Sequence, residues 1–187
     1  IAAPDEPPEL FRFEKEIVLP PILAPRKISK EVNTLSWERG IAATPLALRL
    51  IQNARMRIRE DTRRYGLYKF CFSATDAEIQ FHFPPGVYRT CAGVTLPNKI
   101  DAVSIAHIDD FISLLGDYEA RKKGTSELSM EQPEVTLTHV CDTDGALYVL
   151  AAHWRRSQRQ WFLFAQPFGA IKRWSMMYYF VFPFDPV

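Results

Sequence analysis

The sequence predicts a single soluble α+β domain in which a mixed or antiparallel sheet packs against two main helices. The chain has 187 residues, 47% of them hydrophobic, which suits one domain with one sizeable core. Two segments carry apolar residues at helical spacing, and the last third alternates strand-forming runs with turns. These observations favour one α+β unit over two domains.

A proline-rich arm is predicted at residues 1–25, and the α+β domain at residues 26–187. Six prolines crowd the arm, and each removes a backbone donor, so we expect an extended segment with at most one short strand. Phe11, Phe13, Ile17 and Leu19 are spaced among polar residues and would supply that strand.

The first helix is predicted to begin at Thr44 and to run to about Arg64. Thr44 offers a hydroxyl cap, and Pro45 follows at the first turn, where a missing N–H costs nothing. Apolar residues at helical spacing would face the core, namely Ala47, Ile51, Ala54 and Ile58. Arg49, Arg59 and Arg63 would then form the opposite face. That face is either simply solvated or contacts an anionic partner.

The middle of the chain is predicted to hold three strands and the second helix. Strands are expected at 67–72 and 77–83, joined as a hairpin, and at 87–96 with an interruption at Gly93. The helix carries Ile108, Phe111, Ile112 and Leu115 on one face and would end near the basic run 121–123 and Gly124. A polar loop at 124–133 follows.

The last third is predicted to form an antiparallel meander of three or four strands. The strand signals cover residues 135–141, 147–154, 161–166 and 176–182. Asp144 and Gly145 form a strong hairpin turn signal between the first two strands.

Composition limits the class of function. A net charge of +1 argues against a protein that coats nucleic acid through bulk charge. The three cysteines have no pairing pattern, so we expect reduced thiols in a cytosolic protein. No signal peptide is recognisable, and the longest apolar run, residues 176–184, is too short to span a bilayer as a helix, although it could lie against a membrane surface.

No motif in the chain fixes a reaction by its own chemistry. The glycine-rich loops typical of phosphate sites, GxxxxGK[ST] and GxGxxG, do not occur. His139, Cys141 and His153 could approach one another across the 142–145 turn, but their spacing matches no standard zinc pattern, so we predict no metal site.

Basic residues and tryptophans alternate in the C-terminal third. Residues 146–184 contain five basic residues and no acidic residue. Guanidinium groups pair with phosphate and indole rings accept stacked bases, so this pattern predicts nucleic-acid contact. The predicted contact residues are Trp154, Arg155, Arg156, Arg159, Trp161, Lys172 and Arg173, with Arg59 and Arg63 as a second group. The alternative is a polar hairpin tip flanked by aromatic core residues.

The segment Leu147–Arg156, LYVLAAHWRR, resembles the strand-then-basic motif of the ParB/sulfiredoxin superfamily. In that superfamily the motif opens a helix, and its arginine handles a phosphate or nucleotide. The resemblance therefore implies a ParB/sulfiredoxin-like fold and a catalytic or phosphate-binding role for Arg155 and Arg156.

The chain as a whole is similar to plasmid-encoded fertility-inhibition proteins of that superfamily. The similarity implies a cytoplasmic protein, with a place at the inner face of the inner membrane, that blocks DNA transfer through a type IV secretion system. Its partners would be the transfer DNA or nucleoprotein and secretion components. DNase and ATPase members of the superfamily imply such an activity here, with Mg²⁺ and ATP as cofactors, and Glu38 is the candidate acid.

A second hypothesis is a non-enzymatic inhibitor or immunity protein that binds another protein through its aromatic C-terminal strands. This hypothesis predicts no affinity for nucleic acid. DNA binding that falls steeply with rising salt would favour the first hypothesis, because phosphate contacts release counterions.

Overall fold

The computed structural model describes residues 9–23, 42–54, 58–115, 135–155, 157 and 160–186. This part of the chain is an α+β unit with a mixed seven-stranded sheet and three helices. The strands are β1 (Phe11–Leu19), β2 (Ala42–Ala43), β3 (Arg63–Phe70), β4 (Thr136–Cys141), β5 (Leu147–Arg155), β6 (Gln160–Pro167) and β7 (Tyr179–Pro183). The helices are α1 (Pro45–Asn53), α2 (Asp76–Phe81) and α3 (Ile108–Leu115).

The sheet has the strand order β1-β3-β7-β4-β5-β6-β2. Its neighbours are antiparallel except at β4–β7 and β2–β6, which are parallel. The predicted meander is confirmed for β4, β5 and β6, and Gly145 adopts φ +84 in the turn that joins the first two. The last predicted strand, β7, instead lies between β3 and β4, so the meander has three strands.

Hydrophobic side chains cover both faces of the sheet. On one face, α1 and α3 pack over a buried layer that includes Ile17, Leu67, Ile112, Leu150, Leu163 and Val181. On the other face, α2 and neighbouring loops cover an aromatic layer that includes Phe11, Phe70, Ile79, Leu137, Phe180 and Phe182. The sheet is therefore the central layer of the described domain.

The first helix is shorter than the sequence pattern predicts. Its start is confirmed, because Thr44 caps it and Pro45 occupies the first turn. The helix nevertheless ends at Asn53, and the prediction of a helix to Arg64 is wrong. Arg59 instead forms a β-bridge with Ile22, and Arg63 begins β3. Tertiary pairing of this segment overrides its local helical periodicity.

The segment predicted as a strand at 77–83 is the helix α2. Thr75 caps it, and Asp76 and Glu78 occupy its first turn, where negative charge is favoured. The alternation of Ile79, Phe81 and Phe83 suggested one buried face of a strand. In the helix, Ile79 is buried in the core, whereas Phe81 is 50% exposed. The strand predicted at 87–96 is also wrong, since this stretch forms turns and a bridge from Thr90 to Val103.

The second predicted helix is confirmed as α3 over Ile108–Leu115. The predicted end near residues 121–124 and the loop at 124–133 lie outside the described residues. In the predicted N-terminal arm, β1 runs for nine residues along β3, with Phe11, Ile17 and Leu19 buried. A register shift between Phe13 and Lys15 interrupts the alternation, so Phe11 packs on one face of the sheet and Ile17 and Leu19 on the other, and Phe13 is 53% exposed.

Candidate nucleic-acid interface

Arg155 lies at the end of β5, opposite Gln160 at the start of β6. Its guanidinium carbon sits 3.8 Å from the centre of the Phe162 ring, a cation–π contact. The Phe162 ring is 5.3 Å from His153 and 6.0 Å from Phe164, centre to centre. Arg155, Phe162, His153 and Phe164 therefore form a continuous row on one face of β5 and β6, called here the β5–β6 row.

Each member of the β5–β6 row is half-buried. In a strand, successive side chains point to opposite faces. Along β6, Trp161, Leu163 and Ala165 are therefore buried in the core, while Phe162 and Phe164 lie on the other face with part of each ring accessible. The row thus combines a cation with exposed ring surface.

Trp154 and Trp161 are not in this row. They are 7% and 2% exposed and pack edge to face with ring centres 5.6 Å apart in the core. Their rings are covered in this conformation, so stacking on a base would require the core to open. Trp154 and Trp161 therefore lie on the core face of β5 and β6, opposite the face that carries the β5–β6 row. In the sequence, Trp161, Leu163 and Ala165 are spaced two residues apart. This period of two predicts that Phe162 and Phe164 lie on the other face of the strand.

Burial, and secondarily the charge of Arg155, lower the pKa of His153. The imidazole is therefore neutral at pH 7. It serves this row as an uncharged aromatic ring, and Arg155 supplies the positive charge.

Arg173 is engaged within the protein. It donates from Nη1 and Nη2 to the two carboxylate oxygens of Glu78, at 3.0 and 3.3 Å, and from Nε to Ser73 Oγ at 3.0 Å. These hydrogen bonds connect the segment before β7 to α2. Lys172 beside it is exposed. Arg173 is therefore held by Glu78 and Ser73, whereas the side chain of Lys172 is exposed to solvent.

The second predicted group, Arg59 and Arg63, is brought together around Asp110 of α3. Arg59 Nη1 lies 2.6 Å from Asp110 Oδ1, and Arg63 Nη1 donates to Oδ2 at 2.9 Å. The Tyr65 hydroxyl also donates to Oδ2. Burial, together with Asp110, raises the pKa of Tyr65 well above its usual value, so the phenol stays protonated.

The two arginine groups do not form one surface. β3 is antiparallel to β7, β7 is parallel to β4, and β4 is antiparallel to β5, so β3 and β5 run in the same direction. Arg63 begins β3 and Arg155 ends β5, which places them at opposite ends of the sheet. They also project from opposite faces, because Arg63 reaches α3 whereas Arg155 lies beside Phe162.

Glu38, Arg156 and Arg159 lie outside the described residues. His139 is fully buried, with Nε2 bonded to Asp76 and Nδ1 close to Gln80. His153 instead contacts Phe162. In the ranges that the structure describes, no group of three or more His, Cys, Asp or Glu residues is arranged to hold a metal ion.

Comparison of the chain with protein-family models, with curated proteins and with solved structures finds no match. Among the described residues, no helix has the length and apolar character needed to cross a membrane.

Proposed function

We propose that the protein is a fertility-inhibition effector that binds the DNA or nucleoprotein substrate of a type IV secretion system in the cytoplasm. The observation that supports binding is the β5–β6 row, in which the Arg155 guanidinium lies over the Phe162 ring. The link to DNA transfer is carried by the resemblance to the ParB/sulfiredoxin superfamily.

The chemistry of the row suits a single strand better than a duplex. Bases of a single strand are unpaired, so their faces can stack on rings such as Phe162, Phe164 and His153, while the arginine pairs with phosphate. The row needs no base-edge recognition, and the proposed binding is accordingly tolerant of sequence. A single-stranded intermediate is a suitable target for an inhibitor of DNA transfer.

Cleavage of the bound strand, dependent on Mg²⁺ or ATP, is the enzymatic part of the proposal. It rests on the superfamily resemblance, and two of its candidate residues, Glu38 and Arg156, are outside the described residues. Arg155 is the remaining candidate and lies in the row itself. Binding and cleavage can be measured separately on the same labelled strand.

The test is fluorescence anisotropy with a labelled single-stranded oligonucleotide at low salt, with and without Mg²⁺ and ATP, followed by electrophoresis for cleavage. We expect measurable binding by the wild type.

Phe162→Leu keeps an apolar side chain but removes the aromatic face, and Arg155→Gln removes the charge. Base stacking contributes about 1–3 kcal/mol, so Phe162→Leu should weaken binding roughly tenfold.

Arg12→Gln is the matched control, because Arg12 is an exposed arginine on β1, at the other side of the sheet, and is paired to Glu14. It should bind DNA as the wild type does. No salt-sensitive binding by the wild type, or equal binding by all variants, would rule out the β5–β6 row as a nucleic-acid interface.

Exposed apolar residues favour a protein-binding inhibitor as the second candidate. Phe72, Met176 and Met177 are each about half exposed, at 47%, 54% and 46%, and Met177 bonds to Phe70 through the backbone, close to Phe72. Exposed apolar groups of this kind occur at protein interfaces. The C-terminal strand β7 is buried inside the sheet, so the interface would use this loop region rather than β7. Absence of DNA binding would favour this candidate.

A further inference from the structure

The ion pairs around Asp110 do not balance in charge. The side chains of Arg59 and Arg63 are only 6% and 16% exposed, and both contact Asp110, which is 0% exposed. The third contact, from Tyr65, is a neutral hydroxyl. Two largely buried positive charges therefore share the one buried carboxylate of Asp110, while Arg63 also interacts with the partly exposed Asp185.

Arg59 also has unused hydrogen-bonding capacity. Its Nε and Nη1 atoms are buried and have no hydrogen-bond acceptor in the described part of the protein, since the contact of Nη1 with Asp110 is a close charge contact without hydrogen-bond alignment. Buried polar groups are normally paired, and an unpaired buried guanidinium N–H costs more than an unpaired neutral one. Nε of Arg59 in particular has no acceptor among the described residues.

The space beside these arginines can admit a ligand. Arg59, Arg63 and Arg64 line a surface cleft of about 500 Å³, within the size range of small-molecule sites. Glu60, Asp61 and Asp185 line the cleft as well; Glu60 and Asp61 are exposed, and Asp185 is paired to Arg64. Water and salt screen the exposed carboxylates of Glu60 and Asp61 more strongly than the largely buried guanidinium groups of Arg59 and Arg63.

We infer that this cleft, called here the Arg59 cleft, binds the oxyanion group of a small molecule, a phosphate or a carboxylate, through Arg59 and Arg63. Such a group supplies acceptor oxygens for arginine N–H groups that the protein itself leaves unpaired. Arginine presents its donors as a planar fork that matches either group. The inference is independent of DNA binding, because the Arg59 cleft and the β5–β6 row lie at opposite ends of the sheet.

The experiment titrates the full chain with inorganic phosphate, and separately with acetate, against potassium chloride at equal ionic strength, and follows the thermal unfolding midpoint. A ligand that binds only the folded state raises the midpoint in a saturable way. A rise with phosphate alone or with acetate alone supports the inference and identifies the group. Equal responses to phosphate, acetate and chloride would overturn it.

Variants assign the response to the cleft. Arg63→Gln keeps a donor to Asp110 but removes a charge, and the loss of one charge-assisted contact should weaken oxyanion binding about tenfold. Arg64→Gln, at an exposed position in the same cleft, gives a second test should Arg63→Gln not fold. Arg12→Gln is the control, and a response unchanged in all the cleft variants would contradict the inference.

Discussion

Asp76 is the buried residue on which several separate segments converge. Its Oδ1 accepts from His139 Nε2 at 3.0 Å and from Trp174 Nε1 at 2.7 Å, and its Oδ2 accepts from the Gly169 backbone N–H at 2.7 Å. Gln80 lies 2.5 Å from His139 Nδ1. One carboxylate thereby joins α2 to β4 and to the segment before β7.

The pKa of Asp76 is set by opposed effects. Burial acts to raise it, but the hydrogen bonds from His139, Gly169 and Trp174 outweigh burial, so the pKa is lowered overall. A carboxyl whose pKa is lower in the folded state stabilises the fold above its unfolded pKa, near 4, and loses that contribution as pH falls. The Asp76 contribution is thus complete at pH 7 and declines in acid.

Asp76→Asn should lower the free energy of unfolding by about 3 kcal/mol at pH 7. The amide has no charge, and its NH2 group replaces a carboxylate oxygen that accepts a hydrogen bond, so two donors then face each other. Urea denaturation at neutral and acid pH measures this, and the difference from wild type should narrow in acid. Asp185→Asn is the control. The hydrogen bond from Arg64 lowers the pKa of Asp185 too, but this pair is more exposed and should contribute much less to stability than Asp76 does. Equal losses in the two variants would contradict this account.

At the scale of elements, the two capped helices differ in how well their caps fit. Thr75 Oγ1 accepts from the Glu78 N–H at 3.1 Å, whereas Thr44 Oγ1 accepts from the Ala47 N–H at 3.5 Å. The α2 helix has only six residues, so its cap satisfies a larger share of its free N–H groups. Thr75 should therefore be the more important cap.

We expect Thr75→Ala to lower the free energy of unfolding by about 1–2 kcal/mol and Thr44→Ala by about 0.5 kcal/mol. Chemical denaturation of both variants measures the difference. Thr75→Ser keeps the capping oxygen and should stay within about 0.5 kcal/mol of wild type. A larger loss at Thr44 than at Thr75 would show that cap geometry does not control the stability of these helices.

The elements that could be predicted are those whose signals are local. Thr44 with Pro45 marks a helix start, and Asp144 with Gly145 marks a hairpin, because the required conformations depend on those residues themselves. The α2 helix was missed because Ile79, Phe81 and Phe83 imitate strand alternation over a stretch too short to distinguish the two periods.

The parts that could not be predicted depend on contacts between distant segments. Nothing near Arg59 in the sequence indicates that Asp110, about fifty residues later, will pair with it and with Arg63. The strands β5 and β6 could be predicted, but which face of a strand is buried depends on what packs against it. The burial of Trp154 and Trp161 in the core was therefore not predicted.

At the scale of the whole molecule, the sheet separates the Arg59 cleft from the β5–β6 row. The two lie at opposite ends of strands that run in the same direction, and on opposite faces. A single nucleic-acid strand laid on the β5–β6 row would not contact the cleft unless it wrapped around the sheet. The two proposed sites should therefore be energetically independent.

This independence predicts how salt acts on DNA binding. For a single strand, the logarithm of the binding constant falls with the logarithm of salt concentration with a slope of about −0.7 per phosphate contact. Arg155→Gln should therefore make the slope shallower by about 0.7, and Arg63→Gln should leave it unchanged. Anisotropy titrations at several salt concentrations measure both slopes.

In the double variant, the changes in DNA-binding free energy caused by the two single substitutions should add to within about 0.5 kcal/mol, since the sites share no partner. A shallower slope in Arg63→Gln would mean that the strand does reach the Arg59 cleft, and that both arginine groups belong to one wrapped interface.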